Sequence, residues 1–114
     1  MNSTREPNPP APLSERLAAL AHPARLEILR SLAELDCCCC KDVVGRLELA
    51  QSTVSQHLRV LVDAGLVRFT PNGPRSLYRL DRAALSDLGA SVNELLNSCC
   101  AAPARGGSNN EPAE

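Results

Sequence analysis

All six cysteines of this 114-residue chain fall in two short runs, Cys37-Cys38-Cys39-Cys40 and Cys99-Cys100. The N-terminus is polar and Pro-rich with no signal-peptide character, so a cytosolic location is expected, and a disulfide framework is not. Neighbouring cysteines also bridge one another only with strained geometry. Four consecutive, oxidation-prone cysteines are improbable as filler, although burial as small hydrophobes is the competing reading, stronger for Cys99-Cys100 than for the first run. Thiolates with almost no other soft ligand select thiophilic ions. Arsenic(III) and antimony(III) take three sulfurs in a pyramid, so three cysteines suffice; cadmium and lead accept thiolate sites, usually with a fourth ligand. Such binding requires thiolates and weakens on acidification. Oxidation of the two runs to a disulfide or polysulfide is an alternative input for the same sulfurs. Neither His22 nor His57 stands beside a cysteine and no Gly-rich phosphate loop exists. A thiol enzyme or metallochaperone therefore lacks support, and no organic cofactor is expected.

The elements around the thiols are organised by residues 51–67. Val54, Leu58, Leu61 and Val62 recur at the spacing of a helix with one buried stripe. Ser52, Ser55, Gln56 and Arg59 occupy the opposite face, and Gly65 stands where a left-handed cap ends a helix. Residues 66–70 and 76–80 read as two short strands around Pro71-Asn72-Gly73-Pro74, whose Asn-Gly is a strong hairpin signal. A slim polar helix face followed by a hairpin suits a helix laid in the DNA major groove, with the hairpin as a wing along the backbone. An ordinary amphipathic helix and hairpin in an unrelated domain is the plainer alternative.

Composition bounds the rest. The length fits one domain, and one Tyr, one Phe and no Trp leave a core of Leu, Val, Ile and Ala. Such a core, split over short helices, leaves apolar surface that dimerisation buries. No run of 18 or more apolar residues is present, so no membrane partner is expected. The net charge of −1 argues against a generic nucleic-acid binder. Its distribution says more: residues 54–82 set Arg59, Arg68, Arg75, Arg79 and Arg82 against Asp63 and Asp81, a local +3 where phosphate contacts are needed.

In chain order, residues 1–11 read as a disordered arm, 12–100 as the folded domain and 101–114 as a flexible tail. A first helix starts near Pro12 or Ser14 with Leu13, Leu17, Leu20 and Ala21 on one face. A second has Pro23 in its first turn and a stripe of Leu26, Leu29, Leu32 and Ala33. His22 reads as a structural residue at that helix start. A short third helix carries Val43, Val44 and Leu47, and with the turn 48–50 and the helix after it makes a helix-turn-helix. His57 reads as packing against the domain rather than reading bases. The last helix, about residues 82–100, places Leu85, Leu88, Val92, Leu95 and Cys99 at spacings of three and four, which fits either core packing or a partner helix.

Two separated stretches, Leu20-Ala21-His22-Pro23-Ala24-Arg25-Leu26-Glu27-Ile28-Leu29 and Gln51-Ser52-Thr53-Val54-Ser55-Gln56-His57-Leu58-Arg59-Val60-Leu61 with Asp63-Ala64-Gly65-Leu66-Val67, resemble the ArsR/SmtB winged-helix repressors over roughly residues 13–100. The resemblance implies a mainly α fold with a small β-hairpin: a winged helix-turn-helix of about five helices and a two-stranded wing, homodimeric through its first and last helices. It implies double-stranded operator DNA as partner, gripped by two recognition helices about 34–36 Å apart. Gln51, Ser52, Thr53, Ser55, Gln56 and Arg59 on the helix and Arg75 and Arg79 on the wing are the implied DNA-binding residues. Members usually cap the recognition helix with Ser where this chain has Ala50, so Gln51 or Ser52 is expected to cap instead.

The family's zinc sites use His and carboxylates on the last helix, which here has no His. Arsenite-responsive members carry Glu-Leu-Cys-x-Cys-Asp-Leu. Aligned on Asp42, its first Cys matches Cys39 and its second matches Lys41, so Cys38 and Cys40, or Cys37 and Cys39, would supply the equivalent pair. Other members use a vicinal pair at the end of the last helix, which Cys99-Cys100 resembles, with a third Cys that does not follow here. The expected inducer is As(III) or Sb(III), bound by Cys37, Cys38, Cys39, Cys40, Cys99 and Cys100. Either the two runs join within or across subunits, or each acts alone, two sulfurs sufficing for a methylated arsenical.

Overall fold

The computed structural model describes residues 11–35, 37–73 and 75–101, with Cys37 and Cys38 through their backbone. The arm before residue 11, the tail after Ala101 and Pro74 of the hairpin turn lie outside the described residues. Five helices and three strands follow in order: α1 Leu13–Leu20, α2 Pro23–Leu35, β1 Cys37–Cys39, α3 Cys40–Val44, α4 Gln51–Asp63, β2 Val67–Asn72, β3 Arg75–Leu80 and α5 Arg82–Cys100.

Helix α2 starts as its Pro suggests. Pro23 has no N–H to satisfy, His22 Nδ1 accepts from the Ala24 N–H at 3.1 Å, and the His22 carbonyl takes the Leu26 amide. Its buried face differs from the expected stripe. Ile28 and Leu32 are fully buried and Ser31 nearly so, whereas Leu26 and Ala33 are exposed. Spacing allowed both faces; packing against α4 and β3 selects the one through Ile28, Leu32 and Leu35. On α1, Ala19 is buried and Leu13, Leu17 and Leu20 are half-buried, while Ala21 is an exposed C-cap.

Helix α4 lies over the core. Val54, Leu58 and Leu61 are wholly buried, against Ile28, Leu32, Val43 and Leu66. It ends as Gly65 indicates: at φ +83° the Gly65 amide bonds the Val62 carbonyl at 2.9 Å, and Leu66 bonds Leu61 at 3.0 Å. That reversal turns the chain straight into β2. A Cβ at Gly65 would meet nothing within 4 Å, so Gly65→Ala suffers from its backbone angle alone. We expect about 1–2 kcal/mol of destabilisation, read as a lower urea midpoint with an unchanged m-value.

Strands β2 and β3 pair from Val67↔Leu80 out to Asn72↔Arg75, with Gly73 at φ +60° in the turn. The wing is therefore slightly longer than its apolar pattern indicates, because Pro71 and Asn72 join the ladder. The sheet also gains a third strand: β1 pairs antiparallel with β3 in the order β1-β3-β2, with Cys37↔Arg79, Cys38↔Tyr78 and Cys39↔Leu77. Three consecutive cysteines thus form one edge of the sheet that carries the wing.

Asp81 closes the unit. Its Oδ1 caps α5 at the Ala84 amide (3.0 Å), its Oδ2 takes Arg68 Nε (3.2 Å), and its amide bonds the Leu66 carbonyl. On α5 Leu88 is buried and Leu85 and Val92 pack against the core, whereas everything from Asn93 to Cys100 is exposed, Leu95 by 45% and Leu96 by 55%. The first half of the expected seam is thus core packing, and the second half is exposed among the described residues. Among the described residues no helix is long and apolar enough to cross a membrane.

Candidate functional site

The outer face of α4 is free as its residue types suggest. Gln51, Ser52, Ser55, Gln56 and Arg59 are exposed and Thr53 is half-buried. Arg59 pairs with Asp63 at an exposed 3.8 Å, which constrains it little. The expected cap is not made: Ala50 is the N-cap, and among the described residues no side-chain cap bond forms, from Gln51 and Ser52 included. The first amide satisfied along the helix is that of Val54, to the Ala50 carbonyl. The amides of the opening turn, with the positive end of the helix dipole, are left facing outward. On the wing, Arg75 and Arg79 are exposed, and Phe69 and Tyr78 stack across the hairpin with ring centroids 5.5 Å apart.

The first run of cysteines meets this surface. Cys39 ends β1 and caps α3: its amide and thiol donate to Asp42 Oδ2 at 3.0 and 3.3 Å, and its side chain is buried. This reciprocal cap uses Cys39-x-x-Asp42 as Ser-x-x-Glu is used elsewhere. The two hydrogen bonds from Cys39, backbone first, hold the Asp42 carboxyl below the usual carboxylate range, with Arg75 adding to the effect. Arg75 Nη2 lies 3.9 Å from Cys39 Sγ. Cys40 opens α3, and its Sγ is 3.9 Å from the carbonyl of Gln51, the first residue of α4. Burial, then the neighbouring Cys39, pushes the Cys40 thiol up. Tyr78 is likewise raised, first by burial and then by Cys40.

A cleft of about 250 Å³ opens between these parts. Cys39, Cys40 and Lys41 form one wall, Gln51 and Ser55 of α4 a second, and Arg75, Ser76 and Tyr78 of β3 the third. Lys41, Ser76 and Tyr78 were not singled out by residue pattern. Lys41 adjoins the thiols in sequence, and Tyr78 is reachable only through the β1–β3 register. The Cys39-x-x-Asp42 cap has the spacing of a capping box, a signal the residue pattern carries but the ligand reading of the cysteines passed over.

Cys99 and Cys100 stand elsewhere, exposed at the end of α5, a helix that packs on α1. The structure does not bring them to the first run within one chain, and among the described residues no three His, Cys, Asp or Glu gather into a metal-holding group. The side chains of Cys37 and Cys38 lie outside the described residues. Cys39 and Cys40 therefore provide two described sulfurs, with no His among them.

His57, on the inner flank of α4, faces His22 with ring centroids 4.5 Å apart, and its Nδ1 is 3.4 Å from Arg25 Nη1. Arg25 also donates to the Ala19 carbonyl at 2.7 Å, closing the end of α1. His57 thus packs against the domain, as its position in the sequence suggests. Burial first, then His22 and Arg25, lower its pKa below the ordinary 6.5. The neutral form is favoured in the fold, so the unfolded chain binds more protons between the lowered pKa and about 6.5. Stability should therefore fall as pH drops through that window. His57→Gln should flatten this part of the pH–Tm profile, measured by thermal melts; an identical slope in both proteins excludes His57 as the cause.

Comparison with known proteins agrees with this geometry. Residues 22–68 match the family model described as bacterial regulatory protein, arsR family. An arsenical resistance operon repressor from Staphylococcus xylosus is 35% identical over 81 residues, covering 71% of this chain and 77% of the relative. The crystal structure of a possible transcriptional regulator for arsenical resistance superposes with a TM-score of 0.65 at 31% identity, covering 71% of this chain and 83% of that one. The homodimeric winged helix-turn-helix DNA-binding domain of a possible ArsR-family regulator from Mycobacterium bovis gives 0.61 at 26% identity, over 78% and 82%. With its helix-turn-helix, its wing and these relatives, the chain belongs to the ArsR family of bacterial transcriptional regulators.

Proposed function

We propose that this chain is a cytoplasmic homodimeric repressor that holds operator DNA through α4 and the wing and lets go when its cysteine thiolates capture As(III) or Sb(III). The observation that carries this reading is the contact between thiols and reading elements. Cys37–Cys39 are hydrogen-bonded as a strand to β3 of the wing, and Cys40 abuts the first residue of α4. Sulfur capture at that place acts on both DNA-facing elements without a relay. Kinship with arsenical resistance operon repressors supports the choice of inducer, as does a donor set of thiols without histidine.

Ser52, Ser55, Gln56 and Arg59 face base edges and phosphates, flanked by Gln51 and Thr53, with Arg75 and Arg79 on phosphates. Cys39 and Cys40 hold the inducer; a third sulfur comes from Cys37 or Cys38, or from Cys99 and Cys100 across the dimer. Leu95 and Leu96, uncovered on α5, supply the apolar surface for a second copy.

The test uses the purified, reduced, ion-free protein with duplex DNA from upstream of its own gene. A dimer that binds this DNA is expected, with affinity falling more than about 100-fold on arsenite addition, a coupling of ~3 kcal/mol. Phenylarsine oxide, Cd(II) and Zn(II) titrated alongside identify the ion class. A monomer that ignores the DNA overturns the proposal, whatever its thiols bind.

A further inference from the structure

We infer that the cleft between α3, α4 and β3 is a seat for one DNA phosphodiester, and that inducer and DNA exclude each other by competing for it. The inference rests on the repressor reading and specifies how its thiols are coupled to DNA.

Three observations meet there. First, the polar side chains lining the cleft, among them Lys41, Arg75, Gln51 and Ser55, are cations and neutral hydrogen-bond donors; no carboxylate is among its described lining residues. The uncapped opening turn of α4 adds outward amides beside Gln51. Such walls select an anion. Second, about 250 Å³ is below the roughly 300–1,000 Å³ of drug-sized pockets. The space fits a single anionic group rather than a whole organic effector. It opens where the start of the recognition helix meets the turn end of β3 at Arg75 and Ser76, so a duplex strand that touches both passes over it. Third, Cys39 and Cys40 are walls of the same cleft, and Arg75 reaches Cys39 Sγ at 3.9 Å. An adduct on the half-exposed Cys40 therefore fills the space a phosphate needs, and the cation that would hold the phosphate already lies against the neighbouring sulfur.

A relay through the dimer permits a ternary complex of protein, DNA and sulfur ligand, whereas a shared seat forbids it. The two differ in how DNA protects the thiol. The dimer is treated with iodoacetamide, from which the Cys40 thiolate displaces iodide, while free operator DNA is varied and anisotropy records binding in the same samples. Tandem mass spectrometry follows Cys40, with a free thiol peptide in the same tube as the internal control. Under competition the Cys40 rate falls as 1/(1 + [DNA]/Kd), to about one-hundredth at 100 Kd, with no plateau. The free-thiol control changes less than about twofold.

A plateau reached while more DNA is added, or an unchanged Cys40 rate on protein that anisotropy reports as bound, overturns the shared seat and leaves the repressor reading standing. Absence of any anisotropy change removes the repressor reading and this inference with it. Lys41→Ala is a second check. It should weaken operator binding and shift the protection curve to higher DNA by the same factor; protection that persists at the wild-type midpoint while affinity drops refutes the seat.

Discussion

Replacing Cys39 and Cys40 together by Ser should leave operator binding nearly intact and raise the arsenite needed for release by on the order of 100-fold or more. Ser keeps what the fold requires at position 39, because a hydroxyl donates to Asp42 Oδ2 as the thiol does. At position 40 the thiol makes one long hydrogen bond, to the Gln51 carbonyl at 3.9 Å, and is half-buried at the margin of the core, where a hydroxyl of similar size fits. What disappears is soft-ligand capacity beside α4 and the wing. Losing a partner one shell out from a metal typically costs 10–100-fold in affinity, and losing two sulfurs costs more. Anisotropy titrations of DNA release by arsenite measure the shift. Release at wild-type arsenite concentrations excludes this pair as ligands and moves the site to Cys99 and Cys100 or to Cys37 and Cys38. Cys99→Ser/Cys100→Ser measured alongside separates a site shared across the dimer, where both double variants lose response, from one confined to the α3 end.

The second large effect is on stability. Leu58→Ala should cost about 2–5 kcal/mol, since Leu58 is fully buried and the cavity beneath α4 is lined by a core that cannot collapse freely. Against a total of roughly 5–15 kcal/mol for an ordinary domain this is a large share. At about 4–8 °C per kcal/mol for a chain of this size, the melting temperature falls by at least ~8 °C. Ser55→Ala, three residues earlier and exposed at the flank of the buried stripe, should leave melting within experimental scatter while weakening DNA binding. Circular dichroism melts of both variants check the contrast; equal destabilisation would falsify the orientation given to α4.

Period and punctuation made much of this legible. The Val54–Leu58–Leu61 stripe, Gly65 as helix terminator and Asn72-Gly73 as the hairpin turn are each written within a few residues and reappear as such. His22 and His57 were also readable as structural, from a helix start and a position next to a buried Leu. The α2 stripe was misjudged, because Leu26 and Ile28 are equally apolar and only the docking of α2 on α4 and β3 chooses between them. The last helix mixed both readings of its seam: Leu88 serves the core while Leu95 is left open.

By itself, the amino-acid order determined the helix-turn-helix with its wing, the gathering of the thiols into two runs and the polar outer face of α4. These depend on residue type and short-range spacing, which a linear chain states directly. Only the tertiary structure decided that the cysteines form the third strand of the wing sheet, that Cys40 abuts the start of α4, that Lys41, Arg75 and Tyr78 share a cleft with the sulfurs, and that Cys99-Cys100 stand apart. The contacts among them join residues 11 to 42 positions apart, and they arise from ladder register and helix packing, which no local pattern encodes.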